Sequence, residues 1–257
     1  MSEVGFPLDD SVVYITATQK ELETETSATN PGAAGGGLLG VLIASSVDST
    51  RNRRAEEAVV ELRDAMIDFE ISGEFVRKIK ASEVTEQLSL LTPQVIAEEP
   101  GADATHGQDF VELHPFVRLS NELRALHVGL WIREYELNDN MEPRFAGFAH
   151  GYTYVYSIPE PDSGRSREDY AEAWLELGVE TIQEQILFGM NQTILAAQSH
   201  IQEGDLELED SARYRIPEYS SRVNYDFWHE NDEATWLQGP ANNEITIATT
   251  DAVVKLD

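Results

Sequence analysis

Hydrophobic residues recur along the chain with two different periods, and the period separates predicted helices from predicted strands. Within residues 47–69 the apolar residues stand three and four positions apart, which is the spacing of one buried helix face. The same spacing runs through residues 167–201, where it predicts a second helix on the order of 50 Å long. Ser166 and Asp169 resemble a capping box at the start of this long helix.

Two glycines interrupt the pattern of the long helix. We expect Gly178 and Gly189 either to mark a bend or to let another backbone approach closely. Shorter helices are predicted after Ser72 and over residues 82–91, where the pattern ends before Pro93.

Alternating or β-branched segments predict strands in three parts of the chain. The predicted strands are residues 11–18, then 110–119, 126–137 and 148–157, and finally 223–229, 234–237, 244–249 and 253–256. Short polar separators within the middle group favour an antiparallel meander, because parallel strands need longer crossovers. We therefore expect an α+β fold in which antiparallel β-sheet packs with two main α-helices, the second one long.

The length of the chain is compatible with one domain. Its 257 residues are 41% hydrophobic, which is enough for a sizeable core. Residues 97–108 are polar and contain glycine, so they are a soft boundary between a helix-rich first part and the predicted meander. We expect a single domain over residues 1–257.

The charge of the chain is strongly negative. Forty-seven acidic residues against eighteen Lys and Arg leave a net charge of −29. Nucleic acid is therefore not an expected partner, because phosphates must be neutralised by basic residues, and an anionic bilayer is disfavoured for the same reason. An acidic, lysine-poor surface suits adaptation to a saline setting. The alternative is an acidic surface that simply keeps the protein in solution.

The chain contains no cysteine, which excludes disulfides, thiolate nucleophiles and cysteine-ligated zinc. Its first residues, MSEVGFPLDDSVVY, lack the basic and apolar regions of a signal peptide. The sequence as it stands therefore predicts a cytoplasmic protein. An envelope location is the alternative if a leader has been removed.

The most distinctive stretch begins with glycines and leads into the first helix. Gly35, Gly37 and Gly40 satisfy the bare pattern G-x-G-x-x-G, but the residues before them resemble a loop rather than the strand that dinucleotide binding requires. The apolar run over residues 36–47 is too short to span a bilayer, although contact with a membrane surface stays an alternative. We favour a close-packing start to the helix.

Three arginines at the start of this helix form the dense basic cluster of an acidic chain. They could take a phosphate or an acidic partner, or they could neutralise neighbouring acids such as Asp48, Glu56 and Glu57. The predicted contact surface combines them with the apolar run: Gly36, Gly37, Leu38, Leu39, Gly40, Leu42, Ile43, Arg51, Arg53 and Arg54.

The histidines lack the spacing of a metal site. They are His106, His114, His127, His150, His200 and His229. His106, between Asp103 and Asp109, is the best local group, but it lies in a polar loop-like segment, so no metal or other cofactor is expected. An enzyme would need His106, His114 or His150 to converge with acids in one cleft.

Aromatic residues alternate along the predicted strands. Three of them, Tyr152, Tyr154 and Tyr156, share one face of a strand and could line a binding face together with other aromatic residues. The others are Trp131, Tyr225, Trp228 and Trp236. We expect this group to pack beneath a helix, which is the more usual position for such residues.

The run GGGLLGVLIASSVDSTRNRRAEEAVVELRDAMIDFEI carries a resemblance. It is similar to a segment of uncharacterised bacterial proteins, many of them predicted lipoproteins, in which a "GGLLG…D…R…AE…LRDA…DF" passage follows an N-terminal strand. The resemblance implies an envelope association but no catalytic residue, and the absence of cysteine departs from the lipoprotein pattern.

Together these patterns favour a non-enzymatic binding or assembly protein. Its partner would be another protein or a second copy, met through the glycine-rich apolar segment and the helix over residues 47–69. The first alternative is a hydrolytic or metal-assisted enzyme that uses scattered histidines and acids. The second is an envelope protein associated with a membrane surface.

Overall fold

A computed structural model describes most of the chain. The described residues are 12–16, 19, 22–24, 49–84, 94–96, 109–140, 143–162, 164, 166–203, 213–216, 220–239 and 244–256. The strands are β1 (Val12–Thr16), β2 (Glu23–Thr24), β3 (Gln94–Ile96), β4 (Phe110–Leu119), β5 (Ala125–Leu137), β6 (Pro143–Ser157), β7 (Arg213–Ile216), β8 (Ser220–Glu230), β9 (Ala234–Gln238), β10 (Glu244–Thr249) and β11 (Val254–Leu256). The helices are α1 (Ser49–Ala65), α2 (Ile71–Ala81), α3 (Arg167–Leu177) and α4 (Val179–Glu203), and a short 3₁₀ turn spans Thr250–Ala252.

All eleven described strands belong to one mixed sheet. The order across the sheet is β11-β7-β8-β9-β10-β6-β5-β4-β1-β3, with β2 also paired to β4. The predicted meander is confirmed, because β4, β5 and β6 pair antiparallel in sequence order. However, β1 pairs parallel with β3 and β4, β2 pairs parallel with β4, and β10 pairs parallel with β6.

The predicted fold class is therefore wrong. An antiparallel sheet with two main helices does not describe a mixed sheet of eleven strands accompanied by four helices within the described ranges. The parallel pairs join distant parts of the chain: Val12 is in register with Phe110, and Ile245 with Tyr152. The length of the segment between two consecutive strands indicates only whether those two strands form a hairpin. It therefore did not predict these pairings between distant strands.

The predicted long helix is divided at Gly178. This glycine has φ +85° and ψ 148°, outside the helical region, so α3 ends before it and α4 begins after it. The capping box at the start of α3 is confirmed: the Asp169 N–H donates to Ser166 Oγ at 3.2 Å, and the Ser166 N–H donates to Asp169 Oδ2 at 2.8 Å. No helix within the described residues carries an apolar stretch long enough to cross a bilayer.

The main core lies between one face of the sheet and the helices. Helix α4 packs on β5 and β6 through the buried side chains of Ile182, Ile186 and Met190. Gly189 permits close contact with the sheet, since a Cβ added there would lie 2.5 Å from Tyr154 Cδ1. Tyr152 and Tyr154 are fully buried in this core, so the prediction that the aromatic group packs beneath a helix is confirmed for them. It is wrong for Trp131, which lies on the opposite face of the sheet, and for Tyr225, which belongs to a separate small cluster.

The buried side chain of Gln19 fills the gap between β1 and β2 by bonding to the main chain of β4. Both strands lie along β4, and the carboxamide of Gln19 pairs with the main chain of Val117 between them. Its Nε2 donates to the Val117 carbonyl, and the Val117 N–H donates to Gln19 Oε1 at 2.7 Å. The amide thus replaces a strand residue and satisfies the β4 edge at this point.

Candidate functional sites

The predicted contact surface is only partly described. Its apolar residues, 36–43, lie outside the described residues. Arg51, Arg53 and Arg54 belong to the first two turns of α1, where the structure describes their backbone. Side chains of α1 are described from Glu57 onward.

One face of α1 is packed into the protein. Its buried side chains are Ala58, Val59, Leu62 and Met66, the last lying in the turn that follows the helix. This face meets α3 and contributes to the main core. Arg63 Nε also donates to the Leu22 carbonyl at 2.6 Å, which ties the end of α1 to the segment before β2. The helix is therefore held in a fixed orientation.

The other face of α1 exposes apolar side chains. Val60 is 49% exposed and Ile67 is 76% exposed. They stand seven positions apart, close to two helical turns, so they point to the same side. Ile67 lies in the turn that follows α1, where its N–H donates to the Asp64 carbonyl at 3.3 Å. We call the outward side of residues 57–68 the α1 outer face.

Exposed acidic side chains lie along one side of these two apolar residues. The exposed acids are Glu57, Glu61, Asp64 and Asp68. An apolar centre with a charged rim is the usual composition of a protein-contact surface.

A second polar group lies on the sheet face opposite the helices. The Glu112 carboxylate is buried and accepts a hydrogen bond from the Thr16 hydroxyl. Arg133 Nη1 lies 3.5 Å from Glu112 Oε2, and His114 Nδ1 lies 3.5 Å from Oε1. Burial alone would raise the pKa of Glu112, but His114, Thr16 and Arg133 together lower it to about 2. The carboxylate is therefore charged at neutral pH.

The Trp131 ring contacts the side chains that surround this carboxylate. The His114 ring stacks on it with centroids 5.7 Å apart, and the Arg133 guanidinium lies 4.6 Å from the Trp131 ring centroid. Phe116 packs against Trp131 at 4.5 Å, and its ring occupies the space that a side chain at Gly129 would need. These contacts fix the partners of Glu112 in position.

A pair of histidines lies on the helix-covered face. The rings of His150 and His200 are buried with centroids 4.1 Å apart, and the Tyr152 hydroxyl is hydrogen-bonded to His200 Nδ1 at 3.1 Å. Trp228 packs against His200 at 5.4 Å. Burial, with a further contribution from His200, lowers the pKa of His150 to about 3. The His150 imidazole is therefore neutral at physiological pH.

The histidines do not gather in one cleft. His114 neighbours Trp131 on the sheet face opposite the helices, whereas His150 pairs in register with the core residue Ile132 and meets α4. His106 lies outside the described residues. Within the described ranges no three His, Asp or Glu side chains form a group that could hold a metal ion.

Sequence reasoning missed the two apolar residues of the α1 outer face. Val60 and Ile67 fall outside the buried stripe of Val59, Leu62 and Met66, and their spacing of seven was the available signal. The most regular apolar stripe of a helix marks its buried face, and a narrower second stripe on the same helix faces solvent here.

Comparison of the chain with protein-family models, with curated proteins and with solved structures finds no match. The similarity of the glycine-rich stretch to bacterial lipoprotein-like sequences therefore stays a prediction.

Proposed function

We propose that the chain is a non-enzymatic binding or assembly protein and that the α1 outer face is its protein-contact surface. The observation that carries this proposal is the exposure of Ile67, 76%, on the same side as Val60. Fully covering an exposed side chain of this size is worth about 1.5–3 kcal/mol, and Val60, which is already half-buried, contributes only part of this. The fixed orientation of α1 adds to this, because little ordering is needed on binding.

The proposal also includes the glycine-rich segment that the sequence predicts as part of the contact surface. Residues 36–43 precede α1 in the chain and include Leu38, Leu39, Leu42 and Ile43. The contact surface therefore comprises this apolar segment, the arginines of the first helical turns and the α1 outer face. Its apolar residues supply affinity, while its charges set the choice and orientation of the partner.

Photochemical cross-linking tests the proposal. A benzophenone side chain is placed at position 60 or 67 and, as a matched control, at the exposed position of Glu184 on α4. We expect irradiation of cells that express the chain to produce discrete cross-linked proteins from positions 60 and 67 but not from 184. Absence of products from positions 60 and 67, or equal products from all three positions, would contradict the proposal.

One observation favours a second candidate, a hydrolytic enzyme. Glu112 is placed beside His114, as a carboxylate that orients a general base would be. If this reading holds, hydrolysis of a chromogenic acetyl ester by the wild type would be lost in His114→Gln and kept in His229→Gln, a change at an exposed histidine. Equal rates for the three proteins would remove this candidate.

A further inference from the structure

The exposed charges at the end of α1 and in the segment after it are acidic. Among the described side chains of residues 57–70, the one base is Arg63, which is half-buried. Its Nε donates to the Leu22 carbonyl at 2.6 Å, so this base is tied to the body of the protein. The exposed charged side chains of the same range are Glu57, Glu61, Asp64, Asp68 and Glu70.

The acids and the exposed apolar residues share one side of the helix. Asp64 stands four positions after Val60 and three before Ile67, which is the spacing of neighbours on a helix surface. Glu61 and Asp68 directly follow Val60 and Ile67 in the chain, so they lie beside them. The α1 outer face therefore combines an apolar line with an acidic line next to it, over a length of about 12 Å.

This combination specifies the chemistry of the partner. We infer that the α1 outer face binds a basic amphipathic helix of another protein. Apolar side chains of that helix cover Val60 and Ile67, while its lysines and arginines lie along Glu61, Asp64 and Asp68. The inference rests on the proposed function and names the class of its partner.

A helix suits the shape of this surface. A partner helix that lies along α1 presents its own apolar residues at intervals of three, four and seven, which is the interval between Val60 and Ile67. Basic residues that border this apolar stripe are then within reach of the acids on α1. Apolar contacts supply affinity, and the charge pairs fix the side on which the partner lies.

The same charges argue against two other occupants. A second copy of the chain would bring the acids of both outer faces together, and like charges in an interface oppose association. An anionic bilayer is repelled for the same reason. A basic protein is instead attracted from a distance by the net charge of −29, and the α1 outer face then selects where it binds.

Binding of a synthetic peptide to the full chain tests the charge requirement. The probe is a fluorescein-labelled helix of about 18 residues with leucine on one side and lysine on the other. Fluorescence anisotropy compares Glu61→Gln/Asp64→Asn/Asp68→Asn with the control Glu172→Gln/Glu176→Gln/Glu184→Gln, which removes three exposed acids from α3 and α4. We expect the α1 variant to bind about tenfold more weakly than the control.

A pair of serine substitutions tests the apolar requirement. Ile67→Ser should weaken binding of the same peptide about tenfold, because its side chain is no longer covered on binding. Leu195→Ser is the matched control, since Leu195 is an exposed apolar residue of α4, and it should leave the affinity unchanged. Circular dichroism should show the same helix content in every variant, because all the substituted residues are exposed.

Three results would overturn the inference. They are a wild type that does not bind the peptide, equal weakening by the two triple variants, and equal binding of a peptide that carries glutamate in place of lysine. Each of them leaves the proposed function to be decided by the cross-linking experiment.

The identity of the segment cross-linked at position 67 separates the two failures. A lysine- and arginine-rich segment of another protein would support the inference. A cross-link to a second copy of this chain or to an acidic segment would retain the contact surface and reject the basic partner. Absence of cross-links from positions 60 and 67 would reject both.

Discussion

At the scale of single residues, the side chains that surround two helical glycines determine how an alanine substitution at each would change stability. Gly73 and Gly189 both lie inside helices, where glycine is normally unfavourable relative to alanine. A Cβ at Gly73 would meet the Glu70 side chain at 3.2 Å, and that flexible side chain can move away. A Cβ at Gly189 would lie 2.8 Å from Val128 Cβ and still closer to the Tyr154 ring, both in the core.

The two alanine substitutions are therefore expected to act in opposite directions. Gly189→Ala should lower the free energy of unfolding by about 1–3 kcal/mol, because the core must shift to admit the methyl group. Gly73→Ala should raise it by roughly 0.5–1 kcal/mol through helix propensity. Urea unfolding followed by circular dichroism measures both, and equal effects would refute the close packing of α4 on the sheet.

Protonation of His150 is expected to destabilise the protein in mild acid. The unfolded chain binds this proton below pH 6.5, whereas the folded protein keeps His150 neutral to about pH 3. The unfolded state therefore holds one more proton between these values, and stability falls as the pH falls through this window. For one such histidine the loss between pH 7 and pH 5 is about 2 kcal/mol.

Urea unfolding at pH 7 and pH 5 checks this expectation. His150→Gln should be less stable at pH 7 because its ring contacts are lost, but its loss between the two pH values should be about 2 kcal/mol smaller than that of the wild type. His229→Gln, at an exposed histidine, is the control and should keep the wild-type difference. An unchanged pH difference in His150→Gln would show that this histidine is protonated in the folded protein.

At the scale of elements, features set by neighbouring residues could be predicted and long-range pairings could not. The capping box of α3 and the β4–β5–β6 meander depend on residues close in sequence, and both are present. The parallel strand pairs bring together residues almost one hundred positions apart, such as Val12 and Phe110. The break at Gly178 follows from one positive φ within a continuous apolar pattern, which periodicity alone does not reveal.

The capping box should contribute measurably to the stability of α3. Ser166→Ala removes the oxygen that accepts from the Asp169 N–H, and we expect a loss of about 1 kcal/mol in the free energy of unfolding. Ser166→Thr, which retains the hydroxyl that contacts Asp169, serves as the control and should recover most of the loss. Thermal unfolding measures the series, and identical stabilities would show that the cap does not contribute.

At the scale of the whole molecule, the net charge of −29 dominates the electrostatics. Self-repulsion between the acids is screened by salt, because the Debye length falls from about 30 Å at 0.01 M to about 3 Å at 1 M. The melting temperature should therefore rise by several degrees between dilute buffer and molar potassium chloride. Chloride is the suitable anion, because sulfate stabilises proteins by exclusion from their surface. Equal melting temperatures would contradict the hypothesis of adaptation to a saline setting.

The candidate contact surface could be predicted from the sequence only in part. The helix and its arginines were evident from periodicity and charge, and α1 covers Arg51, Arg53 and Arg54. The outward position of Val60 and Ile67 depends on which side of α1 meets α3, and that contact joins segments about one hundred residues apart. The sequence pattern alone therefore does not determine which side of α1 is exposed, because that depends on its packing against α3.

The mobility of a label on the α1 outer face tests the central claim most directly. Since the chain has no cysteine, single cysteines at position 60 and, as a control, at the exposed position 184 on α4 can each carry a nitroxide label. A protein-contact surface on α1 predicts that extract of cells that express the chain immobilises the label at position 60 and leaves the label at position 184 mobile. Electron paramagnetic resonance measures both mobilities in solution. Unchanged mobility at position 60 on addition of extract, or equal immobilisation at both positions, would contradict the account.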